Sequence, residues 1–161
     1  MGRLIGAVLL GYVVVALCVF AGLSAAFVEL GPDGAFRPGV YEVSALWLVI
    51  SLIVGFVAAV LGGWVARRIA RSATGPRVLA GLIAALGVAL ALVALVGEPA
   101  ATGVRTETIG TTEAMQYART PVWMMFLNAL IGALGVLVGG KALRRGTDPA
   151  PGNAVPTPNV H

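Results

Sequence analysis

The chain has 161 residues, of which 58% are hydrophobic and 11% charged, with a formal net charge of +4 and a mean hydropathy of +0.94. Soluble domains carry about 25% charged residues, so a water-soluble domain of this length has no way to hide so much apolar surface. The basic residues fall at the edges of the apolar runs, which argues against nucleic acid and for membrane topology as the reason for the positive balance.

No Asp, Glu, Lys, Arg or His occurs between Arg3 and Glu29, Glu42 and Arg67, Arg77 and Glu98, or Arg119 and Lys141. A helix needs about 20 apolar residues to cross about 30 Å of hydrocarbon, and every one of these stretches is long enough. The expected fold is all-α: an integral membrane four-helix bundle built from two transmembrane hairpins over residues 1–145. No room is left for a separate globular domain.

The first helix is predicted over 4–28. Arg3 and the small residues Ser24-Ala25-Ala26 give it some features of a signal peptide. Its apolar core, Leu4 to Leu23, is longer than the roughly 7–15 residues of a signal h-region, so an uncleaved helix is expected. Cys18 is the single cysteine and rules out an intrachain disulfide. Leu17 before it is unsuited to lipid attachment, and mid-helix packing as a small apolar residue is the expectation.

An outer loop over 29–43 follows, marked by Gly31-Pro32-Asp33-Gly34 and Arg37-Pro38-Gly39. Phe36 and Tyr41 are suited to fold it back onto the headgroup region. Helix 2 is predicted over 44–66, with Ser44 as N-cap and Trp47 as an interface anchor. Helix 3 is predicted over 77–97, with Gly75-Pro76 punctuating its start. The second outer loop, 98–120, is rich in threonine; an extended piece over 104–109 and two helical turns over 112–119 are expected within it. Helix 4 is predicted over 121–141, with Thr120 as N-cap, Pro121 at the first helical position and Trp123 as a second anchor. From 146 to 161 the chain is polar and broken by Pro149, Pro151, Pro156 and Pro158, the composition of a disordered tail. His161 ends it with no visible partner for a metal role.

With the N-terminus in the cytoplasm, Arg3, Arg67, Arg68, Arg71, Arg77, Lys141, Arg144 and Arg145 lie inside and only Arg37, Arg105 and Arg119 outside, eight basic residues against three. That bias predicts both termini in the cytoplasm. The arginine-rich short loops suit a bacterial inner membrane protein. Arg67, Arg68, Arg71, Arg77, Lys141, Arg144 and Arg145 are topology determinants that also suit anionic lipid headgroups, at about 1 kcal/mol each near an anionic surface.

Lipid tails are as apolar as leucine, so helices in a bilayer associate through close backbone approach along small residues. Helix 2 carries Ser51, Gly55, Ala58 and Gly62 at steps of four, three and four; helix 4 repeats those steps with Asn128, Gly132, Gly135 and Gly139. The expected packing residues are therefore Gly55, Ala58, Gly62, Gly132, Gly135 and Gly139. Further small-residue stripes occur on helix 1 (Ala7, Gly11, Cys18, Gly22, Ala25) and helix 3 (Ala80, Ala84, Gly87, Ala91, Ala94). Matching tryptophans and arginines at the ends of helices 2 and 4 raise an internal duplication; two helices crossing in the same direction would share those features without one.

The four spans hold no Asp, Glu, Lys, Arg or His, which counts against a proton-coupled transporter. Ser51 and Asn128 are the notable polar groups, expected to make an interhelical hydrogen bond, with contact to a polar ligand as the functional alternative. Glu29, Asp33, Glu42, Glu98, Glu107 and Glu113 are scattered over two loops without ligand spacing, so an acidic rim is expected rather than a carboxylate pair or cation site. No metal, cofactor or catalytic residue is expected. The sequence reads as a non-enzymatic accessory or scaffold protein whose partners are membrane lipid and another membrane subunit or a second copy of itself. An oligomeric transport or permeation component is the alternative.

Overall fold

Each apolar run forms one long helix. In hydrocarbon the backbone must satisfy its own hydrogen bonds, and leucine- and alanine-rich runs favour the helix that does so. The computed structural model describes residues 2–38, 40–96 and 120–142; 89% of them are helical and none lies in a strand. The helices are α1 (Gly2–Ala35), α2 (Ala45–Ala70), α3 (Thr74–Val96) and α4 (Val122–Ala142). All four are long and apolar enough to cross a membrane.

α1 runs past its expected end at 28. It continues to Leu30, bends at Gly31 (φ 64°, ψ 179°), and makes a last turn from Pro32 to Ala35. That backbone region is open in practice only to glycine, and Pro32 has no N–H to continue the ladder. The chain then reverses: Phe36 pairs with Val43 in a single antiparallel bridge, and the Arg37 N–H donates to the Glu42 carbonyl at 2.8 Å.

Ser44 caps α2, as its position predicts. Its Oγ accepts from the Trp47 N–H at 3.1 Å and donates to the Gly34 carbonyl at 2.6 Å, tying the helix start to the end of α1. α2 extends beyond 66 and takes Arg67 and Arg68 into its last turn, where positive charge suits the helix dipole. It closes at Arg71 in the left-handed region (φ 53°, ψ 24°), whose N–H reaches the Arg67 carbonyl. α3 starts at Thr74 rather than Arg77, so Gly75 and Pro76 occupy its first turn, where proline is tolerated. α4 begins at Val122, with the Met124 N–H donating to the Pro121 carbonyl at 2.9 Å.

α1 packs on α2, α2 on α4, and α4 on α3, while α3 makes lesser contacts with α2 and α1. Paired residues give the directions. Gly11 lies at Gly62 and Gly22 at Val54, so α1 and α2 are antiparallel. Gly140 lies at Pro76 and Gly87 at Ala129, so α3 and α4 are antiparallel too. Gly135 at Ala59 and Gly139 at Val60 make α2 and α4 parallel neighbours in the middle. One core cluster joins Val8, Ala59, Ala66, Leu79, Ala80 and Val136. A second, at the opposite end, packs Phe27, Ala35, Phe36 and Val43 against Tyr41, Trp47 and Leu48. Gly97, most of the loop expected over 98–120, Arg144, Arg145 and the tail over 146–161 lie outside the described residues.

Candidate functional site

Consecutive residues on a helix point about 100° apart, so the adjacent glycines Gly62 and Gly63 serve two different neighbours. A Cβ on Gly62 would run into Val15 and the Gly11 carbonyl of α1, whereas one on Gly63 would run into the Val136 backbone of α4. From α4, Gly135 faces Ala59 and the Phe56 carbonyl, at 2.8 and 3.0 Å from an ideal Cβ, and Gly139 faces the Val60 carbonyl. The α2–α4 contact therefore runs through Phe56, Ala59, Val60 and Gly63. Of the expected α2 stripe, Gly62 turns to α1 and Ala58 is buried. Sequence spacing missed Ala59 and Gly63; the Gly-Gly pair was the available signal.

Toward the other end the same two stripes meet fewer of the described residues. Gly55 sits seven residues before Gly62, on nearly the same face, yet no atom lies within 4 Å of where its Cβ would be. Asn128 sits seven residues before Gly135, and it is exposed. Gly132, between them, meets only Ile83 Cγ2, at 3.1 Å. Leu90 of α3, one turn beyond Gly87, is 65% exposed. The α2–α4 seam thus fits closely near Gly63 and Gly139, while α1–α2 and α3–α4 stay in contact further along, at Gly22–Val54 and Gly87–Ala129.

Among the described residues, Ser51 and Asn128 are not brought together. The Ser51 Oγ donates to the Trp47 carbonyl one turn back in its own helix, at 2.7 Å. Asn128 makes no side-chain hydrogen bond to any described residue. Trp47 is half-buried, its ring edge-on to Phe27 at 6.1 Å, while Trp123 is exposed.

The described charges sort to the two ends. Arg3, Arg67, Arg68, Arg71, Arg77 and Lys141 gather where Ala66 and Ala70 meet Gly75 and where Gly140 meets Pro76. The Arg68 guanidinium lies 5.2 Å from the centre of the Trp64 ring, one turn apart on α2. Glu29, Asp33, Arg37 and Glu42 lie at the opposite end, where Arg37 and Glu42 form an exposed ion pair at 3.1 Å. Among the described residues no polar or charged side chain is buried, and no three His, Cys, Asp or Glu residues stand close enough to hold a metal.

Concavities among the described residues include the following. One, of about 390 Å³, lies between the Tyr12–Leu23 stretch of α1 and Ile83 and Leu86 of α3. Another, of about 470 Å³, lies at the Arg37–Glu42 pair and the start of α4, by Thr120, Pro121 and Trp123. No protein-family model, curated protein or solved structure matches the chain.

Proposed function

We propose that this chain is a multi-pass protein of a bacterial inner membrane, with both termini in the cytoplasm, acting as a non-enzymatic accessory or scaffold subunit. One observation carries the reading: the described interior is built from Gly, Ala, Val, Leu, Met and Phe contacts, and every described Asp, Glu, Lys and Arg sits at one end or the other. Such an arrangement suits a rigid membrane body better than a site for chemistry. The end bearing Arg3, Arg67, Arg68, Arg71, Arg77 and Lys141 would face the cytoplasm under the positive-inside bias and bind anionic headgroups. Apolar surface on α3 and α4, including Leu92, Val93, Leu130 and Leu134, would face lipid or another membrane subunit.

The second reading, an oligomeric permeation component, is favoured by Asn128 alone. An amide with no hydrogen-bond partner among the described residues gains, inside an apolar span, from a wet lumen or from a matching amide on another copy. Extraction in mild detergent followed by mass spectrometry separates the two. A stoichiometric heteromeric partner supports the scaffold. A ring of identical copies whose lumen presents Asn128 and Ser51 replaces it with permeation.

A further inference from the structure

We infer that the outward face of α2 seats one anionic phospholipid, its phosphate held by Arg68 and Arg71 and one acyl chain laid along Leu61, Val57 and Ile53. This rests on the headgroup reading of the basic end in the preceding subsection, and it names one seat and one lipid class for it.

The face follows from helix geometry. Ile53, Val57, Leu61, Trp64 and Arg68 succeed one another at steps of four, four, three and four, which keeps them on one side of α2. Gly62 and Gly63 meet α1 and α4 from the opposite side. The four apolar residues of the stripe are each at least 40% exposed. From Ile53 to Trp64 the stripe is about 16 Å long at about 1.5 Å per residue, the depth of one leaflet in a hydrocarbon core about 30 Å thick. Trp64 therefore falls at the interface, and the two arginines beyond it at headgroup level.

Charge selects the occupant. The described carboxylates Glu29, Asp33 and Glu42 lie at the opposite end. The Arg68 and Arg71 guanidinium groups are exposed and have no ion pair or hydrogen bond to a described residue. Arg68 is already placed, because its guanidinium lies 5.2 Å from the centre of the Trp64 ring, which holds the planar fork at the edge of the apolar stripe. Arg71 closes α2 three residues on, and side chains three apart are neighbours on a helix. One phosphate diester accepts from both forks. A zwitterionic head would bring its ammonium group among Arg67, Arg68, Arg71 and Arg77, like charges with no described carboxylate between them. The seat therefore favours a lipid of net negative charge.

The test uses the full-length chain in vesicles of phosphatidylcholine and phosphatidylglycerol, with Trp47→Phe and Trp123→Phe leaving Trp64 as its one tryptophan. Bromine on the acyl chains of either lipid quenches Trp64 fluorescence when that lipid occupies the face, so the ratio of the two quenching curves gives the preference. Phosphatidylglycerol should be preferred about fivefold or more. Arg68→Gln and Arg71→Asn should each lower that preference by up to about fivefold, the worth of one basic residue near an anionic surface; asparagine suits the left-handed backbone at 71. Arg77→Gln removes the same charge from α3 and should cost less. If the single-tryptophan chain does not fold, native mass spectrometry of lipid retained by the otherwise wild-type chain gives the same comparison. Equal quenching by both lipids means ordinary boundary lipid and overturns the seat. A preference that Arg68→Gln and Arg71→Asn leave unmoved, or that Arg77→Gln lowers as much as they do, also overturns the seat, yet leaves the general headgroup reading standing. Trp64 fluorescence untouched by either brominated lipid means that another protein covers the face, and overturns it equally. Release of the protein from membranes by alkaline carbonate would instead sink the spanning reading itself.

Discussion

At Gly62 and Gly63 a single residue step decides which helix is met. Gly62 admits the Gly11 carbonyl of α1 and Gly63 admits the Val136 backbone of α4, so neither tolerates a side chain without moving a whole helix. Overpacking of this kind costs about 1–3 kcal/mol, more when backbone is the obstacle. Gly139→Leu should therefore lower the unfolding midpoint in mild detergent and broaden the size-exclusion peak. Gly55→Leu, whose Cβ enters open space, should leave both unchanged. Equal damage from the two would show that the bundle is closed along its whole length. Gly135 and Gly139, four residues apart, both meet α2, but a count of steps of three and four is blind to which neighbour a face meets. Step counting misses Ala59 and Gly63 for that reason, although the adjacent Gly62-Gly63 pair signals two packing faces.

At the scale of elements, turn chemistry was readable and helix ends were not. Ser44 was legible as a cap because a hydroxyl just before an apolar run can satisfy a free N–H, here that of Trp47. The end of α2 was hidden because its closing left-handed residue is Arg71 rather than the usual glycine. The end of α1 lies beyond residue 28 because a charged side chain at Glu29 ends the apolar run without breaking the backbone, which departs from the helix at Gly31. Gly31→Ala should cost about 1–3 kcal/mol through its positive φ, and Ser44→Ala about 1 kcal/mol through the lost cap. Both are measurable by denaturant unfolding in detergent micelles. The Arg37–Glu42 pair is exposed on both sides, so Arg37→Gln should change stability by less than about 1 kcal/mol. A larger loss would mean that the reversal between α1 and α2 depends on that pair.

At the scale of the whole molecule, the order α1–α2–α4–α3 puts the two hairpins side by side through α2 and α4 and leaves α1 and α3 in contact near one end only. The closed end is also the basic end. If basic residues set the orientation, a tag at either terminus of the wild-type chain should stay unlabelled in intact cells. Changing Arg67, Arg68 and Arg71 to glutamine and adding lysines beside Glu29 should make a fraction of the chains label from outside. Unchanged protection of both tags in that variant would show that something other than these charges sets the direction of insertion.

Four apolar runs, the residues that cap them and the segregation of charge were determined by the sequence alone, because hydropathy, capping and the cost of moving arginine through hydrocarbon are local properties of a residue and its near neighbours. Which small residues touch, which helices are adjacent, and where the bundle opens were decided only by the tertiary structure. Helices in lipid gain little from burying apolar surface against one another, so pattern alone does not select their partners. That choice falls to the shapes of backbones brought together at Gly11, Gly63 and Gly139.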